Sequence, residues 1–197
     1  MQPAADTPRP LALAALVLLA LVVLFTGATT REVHGTAALY ASLARSMADS
    51  GDPVGIFTGP EAYLLKPPLL LWLTALNVKL LGPTSLAATL ATRLSGLVLL
   101  WLTWLLARRL YGATAAWCAV LVLLTNSTFH QFATALRMDA LLMVGVMLSV
   151  LAWYRGDRPP APALFFTGLS IAVLAKGPPG LLPLALLPAH WLIARPA

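Results

Sequence analysis

Charge is what this chain is shortest of. Only 10% of its residues are Asp, Glu, Lys or Arg, against about 25% in an ordinary soluble domain. That is too little to cover a surface facing water on every side, so lipid is its main solvent. Acidic residues are scarcer still: 7 against 13 basic ones, for a formal net charge of +6. The basic residues are scattered, and no cluster is dense enough to argue for nucleic acid. A single cysteine, Cys118, excludes an internal disulfide. The three histidines, at 34, 130 and 190, are far apart and show no metal-ligand spacing. What the chain has in abundance is apolar surface, with 59% hydrophobic residues and a mean hydropathy of +0.84.

Seven apolar stretches follow one another, at about 11–28, 69–81, 86–107, 113–129, 140–154, 163–175 and 181–194. A full crossing takes about 20 apolar residues, fewer where neighbours bury the helix. The first, third and fourth are adequate, and the later ones need neighbours. The first run sits at the long end for a secretory signal core of roughly 7–15 residues. With membranous sequence all the way downstream, a retained first span over 11–28 is the preferred reading over a cleaved signal. The one long polar stretch, 29–66, holds Arg31, Glu32, His34, Arg45, Asp49, Asp52, Glu61 and Lys66. Within it Leu39, Leu43 and Met47 recur every four residues, which predicts an amphipathic helix over 37–48, lying on the membrane surface. Gly51-Asp52-Pro53 ends it. There is no internal repeat and no flexible linker. The expected fold is all-α: one polytopic membrane domain, with a first span, an outer loop over 29–66 and a helical bundle over 67–197.

Sidedness follows from the short loops, since Lys and Arg collect on the cytoplasmic side. If Arg108-Arg109, Arg155 with Arg158, and Arg195 are all cytoplasmic, the spans from 86 onward alternate without conflict. The 29–66 loop, the 130–139 turn and Lys176 then face outward. The count closes only if 67–82 does not traverse. Its 16 residues make a helix of roughly 24 Å, short of a core of about 30 Å. A full crossing there is the alternative, and would invert everything after it.

A charge inside an apolar span is costly, so each needs a partner or a purpose. Lys66 stands before Pro67-Pro68, at the mouth of an apolar helix. It reads either as a snorkelling interface lysine or as a cation held at a fixed spot for a phosphate, the two prolines fixing where the helix starts. Arg137-Met138-Asp139 joins two apolar runs. Residues two apart do not face one another on a helix, so the pair is expected to have separate partners, or Asp139 to cap the next helix. Lys176-Gly177-Pro178-Pro179-Gly180 breaks an apolar run. It is a hairpin turn with a surface lysine, or irregular backbone lining a cavity. Arg93, inside the third run, is an interface anchor or a site residue.

The order of these elements resembles a known family. Tyr40-Ala41-Ser42-Leu43-Ala44-Arg45 lies in the first loop. Leu65-Lys66-Pro67-Pro68-Leu69, Ala91-Thr92-Arg93-Leu94, Arg137-Met138-Asp139-Ala140-Leu141 and Leu174-Ala175-Lys176-Gly177-Pro178-Pro179-Gly180 follow in turn. This order is similar to that of the bacterial membrane glycosyltransferases of the aminoarabinose-transferase and protein-mannosyltransferase superfamily, with the GT-C-type fold. The resemblance runs from about residue 10 to the end. It implies an enzyme of the inner membrane, active on the outer side. Such an enzyme moves a sugar, with inversion, from a polyprenyl-phosphate donor to a lipid or protein acceptor, such as lipid A or another cell-envelope component. By the same resemblance Lys66 contacts the donor phosphate, Tyr40 is the aromatic residue of the first loop, and Asp139 matches an acidic catalytic position. Arg93, Arg137 and Lys176 lie within matched motifs and join the substrate-binding set. No cofactor or metal is implied.

Two departures stand out. The family usually carries an Asp-Glu pair four and three residues before the tyrosine, where this chain has Thr36 and Ala37. Its frequent glutamate before Lys-Pro is Leu65 here. Glu32, one helical turn before Thr36 if that stretch is helical, is the expected substitute base. The family also continues with further spans, so 1–197 is expected to be the N-terminal part of a longer enzyme, with a C-terminal half as partner. Two other readings remain: a non-catalytic scaffold of the same fold, and a transporter component, which broken helices and a membrane lysine would also suit.

Overall fold

Helix lengths follow the apolar runs closely in the computed structural model, which describes residues 10–30, 34–55, 57–58, 61–63, 65–154, 161–185 and 192. The helices are α1 (Pro10–Phe25), α2 (Thr36–Ser50), α3 (Leu69–Leu81), α4 (Ser85–Tyr111), α5 (Ala113–Thr125), α6 (Ser127–Thr134), α7 (Asp139–Trp153) and α8 (Pro162–Lys176). A 3-10 turn, Pro178–Leu181, follows α8. Two-residue strands β1 (Phe57–Thr58) and β2 (Glu61–Ala62) pair antiparallel in the loop before α3.

Among the described residues α4 is the helix long and apolar enough to cross a membrane by itself. Its 27 residues reach about 40 Å. Its ends are well made. The Thr84 side chain accepts the Ala87 N–H at 3.1 Å, and Arg108 and Arg109 sit in the last turn, where cations suit the helix dipole. The apolar run expected to cross over 113–129 is instead broken. Asn126 Oδ1 accepts the Phe129 N–H at 2.9 Å, starting α6 at an angle of 71° to α5. A side-chain cap in the Asn126-Ser127-Thr128 triplet competes successfully with continuing the helix.

The closest-packed pair is α7 with α8, and its glycines explain why. A methyl built on Gly145 would stand 2.5 Å from the Ala172 nitrogen, and one on Gly168 2.5 Å from Ser149 Oγ. Ser149 Oγ reaches the Phe165 carbonyl at 3.0 Å and the Gly145 carbonyl at 3.1 Å. Gly145 with Ser149, and Gly168 with Ala172, form small faces four residues apart that let two backbones touch. In hydrocarbon this close packing, rather than expulsion of water, drives helix association.

The α2 stripe differs from the one expected. Leu43 and Met47 are buried, but their companions are Tyr40 and Ala44, with Leu39 only half-buried. This face is turned onto α3 and the bundle, not offered to lipid. Gly51, at φ +71°, ends the helix, and the Trp72 indole donates to the Pro53 carbonyl at 2.7 Å, tying the following loop to α3.

α4 and α7 run in the same direction. Ala88 and Ala91 cluster with Met138 and Leu141. Towards the far end Leu102 clusters with Leu151, and Arg109 Nη1 lies 3.4 Å from the Leu151 carbonyl. The start of α4 is therefore at the same end as the start of α7. Lys66, before α3, belongs to that end too, so α3 leaves and α4 begins on one side. At 13 residues α3 is about 20 Å long. Arg155, Arg158 and Arg195 lie outside the described residues.

Candidate functional site

The end shared by α2, the α3 approach, the α6–α7 connection and the tail of α8 encloses a cavity of about 470 Å³. His34, Thr36, Ala37 and Tyr40 form one wall, Lys66 another, Ala135 to Asp139 a third, and Lys176 the last. Tyr40, Lys66, Arg137, Asp139 and Lys176, which stand up to 136 positions apart in the sequence, are thus brought together.

Asp139 is the hub. Its Oδ1 accepts from Lys176 Nζ at 2.5 Å, and its Oδ2 from Arg137 Nε at 3.2 Å. The expectation that Arg137 and Asp139 point to different partners is corrected here. Arg137 lies before α7 begins, outside the helix, so the helical spacing rule does not apply to it. The alternative that Asp139 caps α7 also gives way: it is the first residue of that helix, and both its oxygens serve cations. The Arg137 guanidinium also lies 4.6 Å from the Phe132 ring centroid, a cation–π contact that ties it to α6.

Lys66 differs from the other two cations. It is exposed to the cavity, and among the described residues it has no carboxylate partner. Three cations against one carboxylate leave the wall positive, a setting for an anion. Because Arg137 and Lys176 already share Asp139, Lys66 is the cation most available to an incoming ligand.

Tyr40 is 7% exposed. Burial, and then the neighbouring Tyr63 phenol with which it hydrogen-bonds, push its phenol up from its ordinary value. It therefore stays protonated at neutral pH and can donate to an acceptor in the cavity. Tyr63 was missed in the sequence; its place three residues before Lys66 was the signal.

Thr36 and Ala37 do line the cavity. At the positions where the resemblance implies an acidic pair, the wall offers a hydroxyl and a methyl. Glu32, the expected substitute, lies outside the described residues. Asp139 is consequently the single carboxylate on the described wall.

Arg93 does not join the site. It is fully buried in α4, where Nε donates to Thr89 Oγ1 at 2.9 Å and Nη1 donates to the Leu24 carbonyl. Phe25 lies 6.0 Å from its guanidinium. Arg93 fastens the end of α1 to α4, which is a purpose a buried charge can serve. Among the described residues no group of three His, Cys, Asp or Glu side chains could hold a metal ion.

Beyond His34 lies a second, more open depression of about 510 Å³, between α2 and the α3–α4 corner. Arg45 is the charged residue on its wall, and Arg45 is already 3.9 Å from Asp49. The convergent charges are in the first cavity.

Comparison with known proteins bears on the fold. A family model described as dolichyl-phosphate-mannose-protein mannosyltransferase matches residues 65–197, beginning one residue before Lys66. An uncharacterised protein of Aquifex aeolicus (strain VF5) is 31% identical over 162 residues, covering 80% of this chain and 32% of that protein. The crystal structure of ArnT from Cupriavidus metallidurans in the apo state superposes with a TM-score of 0.82 at 29% identity. That match covers 95% of this chain and 37% of ArnT. The chain thus spans about a third of the length of these two relatives.

Proposed function

The chain belongs to the dolichyl-phosphate-mannose-protein mannosyltransferase family, a family of membrane proteins with the GT-C-type fold, and on that premise we propose that it carries the donor-phosphate site of a glycosyltransferase. The donor is a sugar linked to a polyprenyl phosphate. The acceptor is a hydroxyl-bearing lipid or protein, met on the outer face of the inner membrane.

The observation that carries this reading is Lys66. It faces the same cavity as the Arg137–Asp139–Lys176 cluster and has no carboxylate partner among the described residues. During transfer the bond between the anomeric carbon and the phosphate oxygen breaks, and the electron pair stays with the phosphate. A cation already in place stabilises that developing charge without reorganising. Lys66 meets the phosphate, while Arg137 and Lys176 add to the potential. The acceptor oxygen forms the new bond to the anomeric carbon from the opposite face, which inverts it, and its proton passes to a carboxylate. Glu32 is the candidate for that base. Asp139 has both oxygens engaged by cations and is better suited to holding the cluster in place.

A second reading has one observation in its favour. Thr36 and Ala37 occupy the wall where the resemblance implies acidic residues, which suits a non-catalytic member of the same fold. Sugar transfer by the longest natural form of the protein separates the two. The expected result is transfer that falls about 100-fold or more in Lys66→Ala, the loss typical of removing one transition-state donor. No transfer by the unaltered protein, with normal insertion, would favour the scaffold.

A further inference from the structure

In the half of the bundle away from the Lys66 cavity, α1 and α4 leave a groove of about 350 Å³ between them. The two helices run antiparallel. Leu24, near the end of α1, meets Arg93 in the first half of α4, while Leu13 and Leu16 of α1 share the groove with Trp101 and Trp104 of α4. Val120 of α5 is also on its wall, which carries no charged residue. Leu13, Val17 and Trp101 are exposed, so the groove opens sideways to lipid rather than inward to the core.

One end of the groove meets a cation. The Arg108 guanidinium lies 4.9 Å from the Trp104 ring centroid, one turn further along α4. Arg108 is half-buried, and among the described residues it has no carboxylate partner. Its neighbour Arg109 is placed differently: it is exposed, and its Nη1 lies 3.4 Å from the Leu151 carbonyl and 3.5 Å from the Tyr154 carbonyl. Arg109 is thus turned to the end of α7, while Arg108 carries an unanswered charge beside an apolar hollow. Together the hollow and the charge have the form of one amphiphile. An uncharged chain suits the groove and an anion suits Arg108, as in other basic pockets between membrane helices that take lipid head groups. The Trp104 ring marks the junction, the depth at which aromatic residues meet the lipid interface.

We propose that this groove binds one anionic phospholipid, with an acyl chain along Trp101 and the phosphate at Arg108. The arginines mark this side as cytoplasmic, so the lipid belongs to the leaflet away from Lys66. A zwitterionic lipid fills the same groove but brings the cation no net charge. A second copy of the chain, or another protein segment, would fill the groove without answering Arg108. The proposal is independent of the phosphate site at Lys66, and its failure leaves that reading untouched.

The test is titration of the full chain, in uncharged detergent, with phosphatidylglycerol or phosphatidylcholine brominated on an acyl chain. Bromine quenches indole fluorescence on contact, and Trp101 is exposed in the groove. Saturable quenching is expected, half-complete at about fivefold lower concentration for phosphatidylglycerol than for phosphatidylcholine, the advantage of about one cation near an anionic head group. Arg108→Gln should bring that ratio below about twofold, Arg108→Lys should preserve it, and Arg109→Gln should leave most of it. The saturable part should shrink in Trp101→Phe. Should Arg108→Gln fail to fold, salt carries the test, since raising it must narrow the ratio in the unaltered chain. Equal half-saturation by the two lipids would overturn the proposal, and so would a preference that survives Arg108→Gln or ignores salt. Quenching unchanged by Trp101→Phe would place the lipid elsewhere. No saturable quenching by either lipid would mean that protein covers the groove, which also overturns it.

Discussion

Gly168→Leu should leave a chain that inserts but does not assemble its bundle, and Gly168→Ala should lower the unfolding free energy in detergent by about 2 kcal/mol. The cause is the α7–α8 interface. A single methyl at Gly168 would stand 2.5 Å from Ser149 Oγ, 2.6 Å from the Gly145 carbonyl and 2.7 Å from the Ser149 nitrogen. Two of those three atoms are backbone and cannot rotate away. The helices must separate, which loses the Ser149 hydrogen bond to Phe165 and the close packing that replaces hydrophobic drive in a bilayer. It also moves the site, because Asp139 begins α7 and Lys176 ends α8. Chemical unfolding in detergent checks this, with Leu164→Ala, an exposed position on α8, expected to change nothing. Unchanged stability of Gly168→Ala would mean that the helices do not meet this closely.

Asp139→Asn should separate binding from transfer. The substitution keeps the shape of the side chain and removes the one negative charge on the described wall. At an effective dielectric of about 20, a unit charge roughly 8 Å away is worth about 2 kcal/mol, less where water screens it. A phosphate in the cavity should therefore bind about tenfold more tightly. Transfer should nevertheless fall, because Lys176 and Arg137 lose the carboxylate that orients them, leaving two like charges to repel. Titration with a polyprenyl phosphate in lipid nanodiscs measures the first effect, and product formation by the longest natural form measures the second. Weaker phosphate binding by Asp139→Asn would mean that the carboxylate contributes to ligand contact directly.

Much of the fold was legible in the sequence, because helix existence follows from apolar composition and the lipid solvent. Lys66, Asp139, Arg137, Lys176 and Tyr40 could be listed in advance from their motifs, and they do converge on one cavity. What remained hidden was mostly non-local. Arg93 is a motif residue by its neighbours, yet it reaches the Leu24 carbonyl, 69 positions away. The Arg137–Asp139 pair was excluded by a helical spacing rule at a place where the chain is not helical. The break at Asn126 had a local signal, an Asn-Ser-Thr triplet, outweighed by the apolar residues around it. The α7–α8 contact was visible as glycines in apolar runs, but nothing local says which glycine faces which.

The proposed phosphate site holds the head of a polyprenyl chain. It is tested most directly by titrating the chain in nanodiscs with a polyprenyl phosphate and, separately, with the matching uncharged polyprenol. Saturable binding of the phosphate, at least about tenfold tighter than that of the alcohol, is the expected result. Equal binding of the two would mean that the chain recognises only the hydrocarbon, and that the cations around Lys66 serve some other purpose.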